Sequence, residues 1–212
     1  MKPNVRLLFG PLATAIFVVG LLCLPRMVPG YSQVHQTVSE IGELGSPARI
    51  PFTLMLCAVA LCILVFAYAL RELSLKAGRS AAPAYLSGCL AVSCVGVAIF
   101  AFPHPLHNWF GLSELVGYQA PLAMALAWRR EPRVGGVVAF SWIMYAVTCA
   151  AIVANLSVLD RTGALWALER PVYGLVQRSL FLVWFVWCAG VGFALYGASG
   201  KAWGPRFASS GY

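Results

Sequence analysis

The chain contains three histidines, His35, His104 and His107. Two of them lie three residues apart in "FPHPLHNWFG", where Pro103 and Pro105 punctuate the turn and Asn108 follows. Histidine is the usual general base near neutral pH and the commonest metal ligand. With His35 and with Glu40 or Glu43 from "YSQVHQTVSEIGELGSP" (31–47), His104 and His107 could hold a divalent metal in a three- or four-ligand site. The same groups could line a polar site for a lipid headgroup, with His104 and His107 as acid–base catalysts. They could also, with Asn108, satisfy backbone groups where helices end. An H-x-x-H spacing outside a helix does not choose among the three.

Arg178, beside Gln177 in "GLVQRSLF", is the other chemical candidate. A guanidinium fork matches a phosphate or a carboxylate, so Arg178 and Gln177 could clamp an anionic headgroup. A charge at membrane depth costs roughly 3 kcal/mol even on lenient insertion scales. Arg178 is therefore expected to face the interior and meet an acid, with Glu40, Glu43 and Glu114 as candidates. In that role it could equally be a latch between its helix and residues 31–47. Ser39 could be a nucleophile with His35 four residues earlier. Such a pair also needs an orienting group and an oxyanion hole.

These residues stand out because the rest of the chain is apolar. It has 212 residues, 60% hydrophobic and only 10% charged, with a mean hydropathy of +0.79. A soluble domain carries about 25% charged residues, so the composition points to a membrane protein. The net charge of +8 is spread in short patches between apolar runs, which argues against a nucleic-acid partner. The seven cysteines all fall inside apolar runs without a C-x-x-C pair, so they read as small buried side chains.

A helix needs about 20 apolar residues to cross a bilayer. The expectation is an all-α integral membrane protein, a single domain of six spans at about 7–27, 50–70, 82–103, 112–128, 134–158 and 172–198. The fourth is short and should bend at Pro121. The run after Lys2 and Arg6 resembles a signal sequence, but "CLPRMVPGYS" lacks a small-residue cleavage pattern, so it reads as a true span. With the amino terminus inside, ten Lys and Arg fall on the cytoplasmic side and four (Arg26, Arg49, Arg161, Arg170) on the other. Both termini are then cytoplasmic. The histidines and most acids gather on the extracytoplasmic side, which marks that face as functional.

Within 31–47, Val34, Val38, Ile41 and Leu44 recur at helical spacing. They predict a short interfacial amphipathic helix, ended by Gly42 or Gly45, with Ser46-Pro47 opening the second span. "LDRTGALWALERP" predicts another short helix before the sixth span. Trp109 and Trp166 read as belt residues of the outer interface, Trp128 and Trp203 of the inner one.

Taken together and in order, "YSQVHQTVSEIGELGSP", "FPHPLHN" and "GLVQRSLF" resemble the bacterial integral membrane family known as domain of unknown function 998. The first motif is also distantly similar to the DRAM-like membrane proteins, some of which act in remodelling glycolipid anchors. The first resemblance implies a six-helix protein of the bacterial cytoplasmic membrane without an assigned activity, and the second inclines the expected ligand toward a membrane lipid. Three functions follow: recognition of a lipid headgroup or other amphipath, a metal- or histidine-dependent enzyme acting on a lipid group, or a structural or assembly subunit. A homo-oligomer is compatible with all three.

Overall fold

A computed structural model describes residues 4–199, and every regular element among them is helical. Lys2, Lys201, Trp203, Arg206 and both chain ends lie outside the described residues. Five stretches are long and apolar enough to cross a membrane: Val5–Met27, Arg49–Lys76, Ala82–Ile99, Pro132–Leu159 and Ala164–Ala198. They contain α1 (Phe9–Cys23), α2 (Arg49–Lys76), α3 (Ala82–Ile99), α6 (Gly135–Leu156), the short α7 (Ala164–Glu169) and α8 (Tyr173–Ser199).

Where the sequence predicts a single fourth span over 112–128, kinked or tilted at Pro121, the chain forms two helices, α4 (Pro105–Gly117) and α5 (Ala120–Trp128). Neither is long enough to span alone. The break has a local cause. Pro121 has no N–H to donate to the carbonyl of Gly117, four residues back. That carbonyl instead accepts the indole N–H of Trp184 on α8 at 3.2 Å. The bend expected at Pro121 is thus a complete interruption, stabilised from across the bundle.

Other bounds also shift. The second helix runs to Lys76, 28 residues in all, or about 42 Å at 1.5 Å per residue. Its start is Arg49 rather than Ser46-Pro47, because Ser46 Oγ closes the preceding turn, accepting from Ala48 N (3.1 Å) and donating to Ile41 O (2.6 Å). The third helix ends at Ile99, four residues early, and residues 100–104 form a turn.

Residues 31–47 are not one amphipathic α-helix. Turns lead to a five-residue 3₁₀ helix, Val38–Gly42. The Thr37 and Glu40 side chains form a reciprocal cap that starts this helix at Val38, and Gly45, at φ +91°, ends the segment. Val38 and Ile41 are buried, whereas Val34 and Leu44 are exposed. Two of the four apolar positions therefore carry the packing.

Polar contacts define two ends of the bundle. At one, Arg6 pairs with Glu72, and Arg79 and Arg133 flank Glu131 at 3.5 and 2.6 Å. At the other gather the 31–47 segment, the turn after α3, the start of α4, the end of α6 and the start of α8. Between them Trp184, Trp187 and Phe66 are fully buried core side chains. Trp128 is also completely buried, so it is a core residue rather than an interface one. Of the cysteines, Cys62, Cys94 and Cys188 are buried, while Cys23, Cys57 and Cys89 are exposed on the bundle exterior.

Candidate functional site: a cavity beneath residues 31–47

The 31–47 segment is held to α8 by main-chain atoms. Arg178 is only 5% exposed, and its Nη1 donates to the carbonyls of Gln33 (2.9 Å), Gln36 (2.8 Å) and Gly174 (2.8 Å). Its Nη2 donates to the Tyr31 hydroxyl, which passes its own proton to the carbonyl of Thr37 at 2.6 Å. The guanidinium also lies 5.7 Å from the centre of the Tyr31 ring. Burial pushes the Tyr31 phenol up, while the hydrogen bond from Arg178 pulls it back down.

The acid expected beside Arg178 is not there. No carboxylate among the described residues lies within ion-pair distance of it. Glu40 instead accepts from Thr37 N (2.9 Å), Thr37 Oγ1 (2.8 Å) and Gln36 Nε2 (2.9 Å), and so stabilises its own turn. Glu43 is half-buried and accepts no hydrogen bond on its carboxylate among the described residues. Glu114, 8% exposed on α4, takes the Tyr118 hydroxyl at 2.8 Å. Several aligned carbonyl dipoles can stand in for one carboxylate beside a buried cation, and Arg178 Nη1 is held that way, while Nε has no hydrogen-bond partner among the described residues.

Close approach is what allows this. A Cβ on Gly174 would lie 2.6 Å from Gln33 O and 2.9 Å from Val34 O. The first turn of α8 therefore needs a residue without a side chain where the segment crosses it.

The three histidines do separate jobs. Exposed His35 donates from Nδ1 to Pro171 O at 2.6 Å, tying the segment to the approach of α8. His104 caps α4, its Nδ1 accepting from Leu106 N at 3.1 Å. His107, 6% exposed, donates from Nδ1 to Phe100 O at 2.8 Å. That carbonyl can only accept, so in the neutral imidazole Nε2 carries the lone pair, and it receives the Ser39 hydroxyl at 2.8 Å. No group of three or more His, Cys, Asp or Glu among the described residues is arranged to hold a metal. His35, His104 and His107 do not converge.

Beneath the segment is a cavity of about 610 Å³, within the usual range of roughly 300–1,000 Å³ for ligand sites. Its polar lining residues include Ser39, His107, Asn108, Arg161 and Gln177, and its apolar ones include Phe17, Leu56, Leu90, Trp184 and Phe185. Glu114 and Tyr118 add one polar pair among the apolar side chains. Gln177 Oε1 accepts the N–H of Val38 at 2.7 Å, which fixes its amide against the backbone of the residue before Ser39. Asn155 lines the wall and donates to Ala151 O and Val176 O, bracing α6 against α8.

Of the residues expected at the site, Ser39, His107, Asn108 and Gln177 share the cavity. Arg178 and Glu40 fasten its roof, and His35 and His104 lie apart from its wall. Sequence reasoning missed Tyr31, Gly174, Tyr118 and Asn155. Tyr31 and Gly174 nevertheless belong to the quoted motifs, each four residues before one that was singled out, His35 and Arg178.

A family model described as "Protein of unknown function (DUF998)" matches residues 11–194, a range that contains all three quoted motifs. The chain belongs to the DUF998 family. Comparison with curated proteins and with solved structures returned no match. The match contains every wall residue of the cavity and the whole of the 31–47 segment.

Proposed function

We propose that this DUF998 protein binds an amphipathic molecule with an acyl chain, seating the chain in the cavity and the headgroup beneath residues 31–47. The observation that carries the reading is the cavity itself, whose lining combines many apolar side chains with a few hydrogen-bonding ones. A lipid presents the same two kinds of surface. Arg161 in the lining, held 5.7 Å from the Trp166 ring centre, offers a cation to an acidic headgroup. Arg178 keeps the roof in place and makes no use of its fork as a clamp.

In this reading α4 and α5 together act as the sixth crossing, their break covered by Trp184. The end carrying Arg6, Arg71, Lys76, Arg79, Arg129, Arg130 and Arg133 faces the cytoplasm of a bacterial inner membrane, and the cavity opens to the other side.

Photo-crosslinking in lipid nanodiscs tests the binding claim, using a long-chain fatty acid with a diazirine at the chain end. The expected adducts lie on Leu90, Cys94 or Phe181–Phe185. Adducts confined to the exposed exterior side chains Val92, Ile143 and Phe193 would contradict it.

A further inference from the structure

We propose that Ser39 is an acyl-accepting nucleophile, activated by His107, and that the cavity hydrolyses a carboxylic ester of the amphipath it holds. This rests on the binding reading above and adds chemistry to it. Ser39 and His107 come from elements 68 residues apart in sequence, and their side chains meet at 2.8 Å on the cavity wall. The Nδ1–H bond to Phe100 O fixes the imidazole so that its basic nitrogen points at the Ser39 hydroxyl. A neutral carbonyl takes the place that an acid holds in a triad, orienting the ring without adding charge.

The remaining requirement is a donor for the oxyanion. The Gln177 amide is pinned to the roof by the N–H of Val38, the residue before Ser39, which occupies its oxygen. Its Nε2 donates to nothing among the described residues, and the side chain lines the same cavity. That NH₂ is the group placed to receive developing negative charge.

The reaction balances with water as the only co-reactant. Ser39 Oγ attacks the ester carbonyl carbon and its proton passes to His107 Nε2. The tetrahedral oxyanion collapses, the bond to the alcohol oxygen breaks, and that oxygen leaves with the proton from Nε2. An acyl-serine remains. Water then attacks it, giving a proton to Nε2 and returning it to Ser39 Oγ as the acid departs.

The test is covalent capture of the full-length protein in detergent by a long-chain alkyl fluorophosphonate, which loses fluoride to an activated serine. The expected result is one adduct per chain, mapped to Ser39, absent in Ser39→Ala and formed about 100-fold or more slowly in His107→Gln. Gln177→Glu, which keeps an oxygen for Val38 but removes the donor, should also slow release of p-nitrophenol from a long-chain ester. An unlabelled wild-type protein, an adduct elsewhere, or equal rates in wild type and His107→Gln would overturn the nucleophile. If the diazirine cross-links persist in that case, the binding site stands without the chemistry. If they also fail, both readings fall.

Discussion

Arg178 Nη1 donates to the main-chain carbonyl of Gln36, 142 positions away in the sequence, at 2.8 Å. Together with the bond to Gln33 O, this makes the roof of the cavity dependent on a side chain of α8. The roof contributes Ser39 to the wall, so the order of residues 31–47 and the geometry of the site are coupled.

Arg178→Ala should destabilise the protein by about 3 kcal/mol or more. Each hydrogen bond from a charged donor contributes roughly 1.5–3 kcal/mol, and the buried carbonyls would lose their partner. Thermal unfolding in detergent, with limited proteolysis at 31–47, measures it. Arg178→Lys should recover only part of the loss, since an ammonium lacks the fork. An unchanged melting temperature in Arg178→Ala would contradict the latch.

Gly174→Ala tests the close approach separately. Alanine is favoured over glycine in a helix by about 1 kcal/mol, so propensity alone predicts stabilisation. The added Cβ would press on the carbonyls of Gln33 and Val34. A net loss of about 1–3 kcal/mol is expected, the usual range for overpacking. A gain in stability would mean that the segment does not lie on α8.

The opposite end of the bundle has its own pH signature. The Arg133 side chain, hydrogen-bonded to Glu131, holds that carboxyl down to about 2 from the usual 4.5. A carboxyl with a lowered folded-state pKa adds stability that is complete above about 4.5 and is lost as pH falls through about 2. Acid titration of the melting temperature should therefore show a decline across that window. Glu131→Gln should flatten it and lower the plateau at neutral pH. A decline of equal size in both proteins would assign the acid sensitivity elsewhere.

The helices were legible in the sequence because membrane crossing imposes length and hydropathy on each segment independently. The broken fourth crossing was legible only as a bend at Pro121. The Trp184 N–H that takes up the freed Gly117 carbonyl comes from 63 residues beyond Pro121 and is visible only in three dimensions. The 31–47 segment misled through periodicity: Val34 and Leu44 repeat at helical spacing, yet the Thr37–Glu40 cap and Gly45 confine the helix to five residues.

At the site, residue types were legible and partners were not. Arg178 was read as needing an acid because an isolated guanidinium gives no hint that backbone carbonyls will surround it. His107 was grouped with His104 by sequence proximity. Helix capping turns His104 to the chain N–H of Leu106, whereas the buried ring of His107 meets Ser39 across the cavity. Ser39 was paired with His35 on the assumption of an α-helix. In the turn that actually forms, His35 reaches Pro171 instead.

If the cavity holds an amphipath, filling it from the protein side should displace the ligand. Gly111 on α4 lines the wall, and a side chain there would meet no atom within 4 Å at its first carbon. Gly111→Trp should therefore fold, occupy the ligand's volume, and leave the Arg178 roof contacts intact. Native mass spectrometry of wild-type and variant protein, gently released from membranes, reads the occupancy. One retained lipid or fatty acid is expected on the wild-type chain and none on Gly111→Trp, at an equal or higher melting temperature. Equal retention by both proteins, or a wild-type chain that carries nothing, would contradict amphipath binding in the cavity.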